Sequence, residues 1–154
     1  MEKGQSNALL KRASMLDADV VLMDADKVCG PDHLASAVLH ARRAFEQGTA
    51  ASNTLGMEVI LYASGERQIS KAKKKMGLHL ETERVAVVLL SPETLEMDVL
   101  LRQLGLVRND NLLDCDLEKG KAFGIDPVQL NTMGEKRLPE LVLEKVAFVD
   151  MLKR

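Results

Sequence analysis

The sequence predicts a single mixed α/β domain over residues 1–154, in which several helices cover a small, largely antiparallel sheet. Two short runs rich in branched apolar residues, 19–28 and 84–91, have the length and composition of strands. Segments with helical spacing of apolar residues separate and follow these runs. Because a chain of this length can close one hydrophobic core, we expect these elements to pack together as one domain.

The first predicted strand leads into a long helix. Gly30-Pro31-Asp32 begins it, because proline suits the first turn and an acid is favoured at the positive end of the helix dipole. The apolar residues that follow recur at helical spacing, at Leu34, Ala37, Val38, Ala41 and Phe45. The pattern predicts a helix to about Gln47 that ends at Gly48.

Two further helices are predicted before the second strand. The first begins near the capping candidates Ser52 and Asn53, and it is apolar nearly all round, which indicates burial on more than one side. Ser64-Gly65 interrupts it. The second is expected from about Glu66 to Met76, with an apolar stripe inward and most of its lysines outward.

The second predicted strand is followed by another helix. Residues 91–93 supply a cap, a first-turn proline and an early acid, so a helix is expected from there to a stop at Gly105. Residues 106–116 are expected to form an edge strand and a polar loop. One or two short helices should follow through Phe123 and Leu130.

Composition excludes several classes of protein. The formal net charge of −2 argues against a general polycation, so any binding of anions must be local. The amino terminus lacks the apolar core of a signal peptide, and no apolar run approaches the roughly 20 residues that span a bilayer. We therefore expect a cytoplasmic protein, also nuclear if eukaryotic, that does not contact membranes.

Residues with catalytic or metal-binding potential are few. Cys29 and Cys115 lack companions at metal-ligand spacing; a disulfide stays open, but two reduced thiols are the simpler expectation in a reducing compartment. His33 and His40 are not at the spacing of about three or four that suits a metal pair on a helix, so both are expected at the surface or its rim. Without a phosphate-binding loop, dinucleotide motif or nucleophile elbow, the sequence predicts no cofactor, no metal and no enzyme activity.

A basic segment is the most unusual feature. Five positive charges and no acid lie between Arg67 and Gly77. Arg67 is expected in the first turn of a helix, where a cation is unfavourable unless an anion binds, and Gly65 would leave room for a phosphate to approach the open amides. The alternative is a solvated basic face. With few aromatic residues for stacking on bases, RNA binding here would depend on phosphates and on salt concentration.

The C-terminal helix, predicted from about 138–140 to the end, is the second unusual feature. Its apolar arc is wider than one packing face needs, which indicates a second buried surface such as another protein chain. The alternative is a helix buried entirely in the protein's own core.

Four segments together resemble the PRPK-binding protein family (TPRKB in animals). They are VLMDADKVCGPDHLASA (21–37), RRAFEQG (42–48), EVILYASGERQI (58–69) and LVLEKVAF (141–148). The resemblance implies a non-catalytic subunit of the KEOPS complex, here of archaeal type. Such a subunit binds the PRPK-type kinase and supports its ATPase activity. It also binds the CCA acceptor end of tRNA for threonylcarbamoyl-adenosine modification beside the anticodon. The kinase would link it indirectly to the threonylcarbamoyl transferase subunit.

The resemblance also suggests site residues. For RNA binding these are Ser64, Gly65, Arg67, Gln68 and Ile69, which match the family's most specific element, and charge alone adds Lys71, Lys74 and Lys75. For kinase binding, the exposed side of the last helix is expected to carry Val142, Val146 and Val149. Two other hypotheses remain: a protein–protein scaffold or regulator without RNA contact, and an unrecognised enzyme or metabolite-binding domain.

Overall fold

The computed structural model describes residues 1–91 and 95–153 of the chain. The strands are β1 (Val20–Asp24) and β2 (Val85–Leu89). The α-helices in these ranges are α1 (Ser6–Ser14), α2 (Pro31–Gln47), α3 (Leu55–Ser64), α4 (Ile69–Met76), α5 (Met97–Leu104), α6 (Leu117–Phe123), α7 (Pro127–Met133) and α8 (Leu138–Leu152). Short 3-10 helices lie at Ala25–Lys27, Asp110–Leu113 and Glu135–Arg137.

The two strands pair in an antiparallel sheet, with a register from Val20 opposite Leu89 to Asp24 opposite Val85. Alternate side chains point to opposite faces. One face packs in the main core under α2, α3 and α8, and the other contacts a smaller cluster that includes residues of α1 and α5. The predicted α/β class, a small antiparallel sheet covered by helices, is confirmed.

The long helix α2 has the predicted bounds, and its C-cap Gly48 adopts a left-handed φ of 72°. His33, however, is fully buried, which corrects the expected surface position. Its Nδ1 accepts a hydrogen bond from the Cys29 amide and its Nε2 donates to the Ala63 carbonyl. Burial lowers the pKa of His33 to about 4, against the opposing effect of the Ala63 bond, so the ring is neutral and structural.

Several predicted boundaries are wrong. The helix α1 was not predicted, because only two of its residues are buried and its apolar pattern is weak. Residues 106–116 contain the 3-10 helix Asp110–Leu113 and no strand. The predicted helix start at 91–93 falls mostly on residues outside the described ranges, and the helix that follows begins at Met97.

None of the helices within 1–91 and 95–153 combines the length and hydropathy needed to cross a membrane. The two cysteines of the chain are joined: Cys29, just before α2, forms a disulfide with Cys115, just before α6, and their Cα atoms are 4.1 Å apart. This corrects the expectation of two reduced thiols. The separation of 86 residues in sequence hid their proximity.

Replacing both cysteines (Cys29→Ser with Cys115→Ser) should lower the free energy of unfolding by about 4 kcal/mol, because the bridge closes a long loop in the unfolded chain. Urea denaturation with and without a reducing agent measures the difference. Reduction should destabilise the native protein and leave the double variant unchanged. Equal stability of all these samples would mean that the thiols are reduced in solution.

Candidate functional site

The turn between α3 and α4 is built differently from the sequence-based expectation. Gly65 ends α3 in a left-handed conformation, with a φ of 73°, and its amide donates to the Tyr62 carbonyl. Ser64 is fully buried; its hydroxyl donates to the Leu61 carbonyl and accepts from the Glu66 amide. The amides of Gly65 and Glu66 are therefore bonded within the chain, which corrects the expectation that they face an anion.

The open helix end lies a few residues further along the chain. The helix α4 begins at Ile69, not near Glu66, and its N-cap Gln68 makes no capping bond with its side chain. The first bond of the helix runs from the Ala72 amide to the Gln68 carbonyl, so the preceding first-turn amides have no acceptor within the helix. Arg67 and Gln68 are exposed, whereas Ile69 is half-buried against the main core.

The predicted lysines of α4 fall into two groups. Lys71 and Lys74 are exposed. Lys75 is half-buried: its Nζ lies 4.0 Å from the centroid of the Phe123 ring and 3.8 Å from a carboxylate oxygen of Glu66. Burial lowers the pKa of Lys75, and Glu66 partly opposes that effect. Lys75 is therefore held by the protein's own groups, and Lys71 and Lys74 are the lysines of this set that are open to a ligand.

Lys145 of α8 lies beside this turn, although no pattern in the sequence indicates that it does. A Cβ atom added at Gly65 would be 3.5 Å from Cβ of Lys145 and equally close to the Phe123 ring, so the turn packs directly on α8. Lys145 is exposed, and its charge contributes to the lowered pKa of Lys75. We define the basic surface as Arg67, Lys71, Lys74 and Lys145. Only the fold brings Lys145 to it.

The three valines expected on the exposed side of α8 are buried. Val142, Val146 and Val149 each have 0% exposure and belong to the main core. Their i, i+4, i+7 spacing forms the inward stripe of the helix. The outward side carries Phe148 and Met151, each 55% exposed, and we call this pair the apolar surface. The wide apolar arc predicts a second surface on this helix, but its exposed residues are Phe148 and Met151 and not the three valines.

A buried polar network fixes the end of α8. Lys153 Nζ lies 2.5 Å from Glu58 Oε1 and 2.9 Å from the Tyr62 hydroxyl. That hydroxyl donates to Asp150, whose second oxygen lies 3.2 Å from His40 Nδ1. Burial and the bond to Asp150 raise the pKa of Tyr62. The network joins α8 to both α2 and α3.

Glu58 is fully buried at the centre of this network. Besides Lys153, it accepts hydrogen bonds from the Ser52 hydroxyl at 2.6 Å and from the amides of Ala51 and Ser52. Burial acts to raise the pKa of Glu58, but the bonds from Lys153 and Ser52 outweigh it and the pKa is lowered. The Ser52 side chain therefore bonds to the Glu58 carboxylate and does not cap α3. The N-cap of α3 is Thr54.

The described residues carry two candidate binding surfaces, one basic and one apolar. Within 1–91 and 95–153, no group of three or more His, Cys, Asp and Glu side chains is placed to hold a metal ion. The titratable groups of the buried network bond to one another and fasten helices together. The residues of the basic and apolar surfaces take no part in these network bonds.

Comparison with known proteins identifies one family. Residues 4–148 match the family model described as "Kinase binding protein CGI-121". None of the curated proteins compared with the chain matches it. The match spans nearly all the described elements, from before α1 to Phe148 in α8.

Replacing Lys153 by methionine keeps an unbranched apolar side chain of nearly the same length but removes the cation that pairs with Glu58. We expect a loss of about 3–5 kcal/mol in the free energy of unfolding at neutral pH, because a buried carboxylate is left unpaired. The folded-state pKa of Glu58 is below its ordinary value of 4.5. The ion pair of Glu58 with Lys153 therefore stabilises the protein at pH values above 4.5. This stability is lost as the pH falls through the folded-state pKa.

Urea denaturation from neutral pH to about pH 3 measures this difference between the native protein and Lys153→Met. The difference should shrink below the ordinary pKa of Glu58. The control is Lys3→Met, which removes an exposed lysine 3.3 Å from Glu81 and should change stability little. A pH-independent difference for Lys153→Met would contradict the assigned charge pair.

Proposed function

The chain belongs to the CGI-121 family of kinase-binding proteins, and on this basis we propose that it is a non-catalytic subunit of the KEOPS complex. In this role it binds the PRPK-type kinase, supports its ATPase activity and holds the CCA end of tRNA for threonylcarbamoyl-adenosine modification. The observation that supports the RNA-binding part is the open amino end of α4 with the basic surface beside it.

We assign kinase binding to the apolar surface. Phe148 and Met151 are three residues apart, so they are neighbours on one side of α8. Exposed aromatic residues and methionine are enriched in protein interfaces. The buried network holds this helix in place, so docking would order few additional groups. A rigid partner of this kind favours the kinase conformation that it fits, which gives a physical basis for supporting ATP turnover.

We assign binding of a nucleotide strand to the basic surface. A cation near the first turn of a helix costs roughly 0.3–1 kcal/mol, and a bound phosphate reverses that penalty. Arg67 just precedes α4, whose first-turn amides have no acceptor within the helix. Gln68 is exposed beside them and can both donate and accept, as contact with a base edge requires. No ion pair holds Lys71, Lys74 or Lys145 in the part of the chain that the structure describes.

Stacking of bases on aromatic side chains contributes little to this proposal. Tyr62 and Phe123 are buried, and Phe148 belongs to the apolar surface. The remaining aromatic residue, Phe45, lies on α2. Phosphate contacts, the first-turn amides and stacking of Arg67 on a base therefore carry the binding, which makes the affinity depend steeply on salt. The net charge of −2 favours a second candidate, a scaffold that binds the kinase without contacting RNA.

Charge reversal on the basic surface should weaken tRNA binding. We expect Arg67→Glu and Lys71→Glu each to lower the affinity about tenfold and to reduce the slope of log K against log salt by about one. The matched control is Lys73→Glu, which makes the same charge change on α4. Lys73 is two residues from Lys71 and so lies on a different side of the helix.

Affinities for tRNA with and without its CCA tail, at two salt concentrations, complete this test. Removing the tail should weaken binding to the native protein and have little effect on the Arg67→Glu variant, because both changes remove the same contact. If the control Lys73→Glu loses as much affinity as Lys71→Glu, binding is unspecific. If tRNA does not bind at all, the scaffold without RNA contact becomes the function.

Charge on the apolar surface should disrupt kinase binding. We expect Phe148→Glu to weaken the affinity for the PRPK-type kinase by about 2 kcal/mol or more and to reduce its stimulated ATPase activity, while tRNA binding is kept. Met15→Glu, at an exposed apolar residue after α1, is the control. Biosensor titration with the purified kinase measures both. Unchanged kinase affinity of Phe148→Glu would place the interface elsewhere.

A further inference from the structure

The strand β2 pairs with β1 along one of its two edges. The Leu90 amide donates to the Asp19 carbonyl and the Ala25 amide donates to the Arg84 carbonyl. Because bonding alternates along an antiparallel strand, the amides and carbonyls of Ala86 and Val88 also face β1. Those of Val85 and Val87 face the opposite way. Within residues 1–91 and 95–153 no strand pairs with that side.

A groove of about 420 Å³ runs along this edge. Five consecutive residues, 83–87, line one wall. Since neighbouring side chains on a strand point to opposite faces, a wall made of consecutive residues is the edge of the strand rather than a face. The opposite wall comes from α5 and from residues 105–113. The groove thus borders the backbone groups of Val85 and Val87, which pair with no strand in the described part of the chain.

The groove has both apolar and polar lining residues, and bonds fix part of its far wall. Val107 is 93% exposed there, although it is a branched apolar residue. The Gly30 amide donates to the Leu113 carbonyl at 2.6 Å, and the Lys119 ammonium donates to the Leu112 carbonyl. The disulfide of Cys115 lies two residues further along the chain from Leu113. These bonds hold the far wall in place, and the groove lies between that wall and β2.

An acidic pocket of about 490 Å³ adjoins the groove at the start of β2, and the two share Arg84 and Leu112. Four carboxylates line the pocket, from Asp26, Asp114, Asp116 and Glu118, against the two cations of Arg84 and Lys119. Arg84 already pairs with Asp26 at 2.8 Å. The end of the groove therefore carries an excess of negative charge.

We propose that the outer edge of β2 binds an extended segment of another protein, which adds as an antiparallel strand and places lysine or arginine residues in the acidic pocket. Added strands bond to unpaired sheet edges, and pockets for alternate side chains provide selectivity. An antiparallel strand ends beside the start of β2, so the basic residues follow its apolar part. This surface is distinct from the basic and apolar surfaces defined above.

The test uses a fluorescent peptide with alternating valine and threonine followed by two lysines, and anisotropy measures its affinity for the full chain. The peptide should bind at least fivefold more tightly than one with the lysines moved to its amino end or replaced by glutamates. In the complex, the amides of Val85 and Val87 should become protected from hydrogen exchange. The amides of Ala86 and Val88 should already be protected in the free protein.

Two variants locate the binding site. Val87→Pro removes an outward amide without removing a bond to β1, and should weaken peptide binding at least tenfold, whereas the matched Val87→Thr should change it little. Val107→Lys alters the opposite, exposed wall and should also weaken binding, which keeps the test decisive if the proline variant does not fold. The proposal is overturned by equal affinity for the three peptides, by no binding, or by a dimer that protects the same amides.

Discussion

The buried ion pair between Lys153 and Glu58 is the interaction on which both proposed surfaces depend. Glu58 is fully buried in α3, so its carboxylate needs a cation and hydrogen bonds to remain charged. In its observed position α8 brings Lys153 to that carboxylate, while Asp150 meets Tyr62 and His40. This position sets the rotation of α8. Its valines then face the core, and Phe148 and Met151 face outward.

The same rotation brings the two proposed surfaces together. Lys145 lies against the turn at Gly65, and Phe148 is three residues further along the same helix. Residues at this spacing are neighbours on the helix surface, roughly 5–6 Å apart. In our proposal an acceptor end bound beside Lys145 therefore lies next to the docked kinase. Since α8 is tied to α2 and α3, the two partners contact one packed unit, which favours precise relative placement.

Local patterns in the sequence predicted the parts of the fold that depend on local physics. The runs of branched apolar residues predicted β1 and β2, and proline and glycine predicted the bounds of α2. The same sequence patterns did not predict the burial of residues whose position is decided by tertiary contacts. An apolar arc nearly all round α8 did not show that Val142, Val146 and Val149 face inward. His33 and Ser64 are polar, yet the fold buries and satisfies them. The proximity of Cys29 to Cys115, and of Lys145 to Gly65, exists only after folding.

We propose that one face, formed by α4 and α8 together, holds the acceptor end of tRNA. Lysine acetylation followed by mass spectrometry, with and without tRNA, tests it most directly, because it reports each side chain without a mutation. We expect tRNA with its CCA tail to slow the acetylation of Lys71, Lys74 and Lys145 together and to leave Lys73 reactive. Protection of Lys73 with continued reactivity of Lys145 would contradict the proposed binding face.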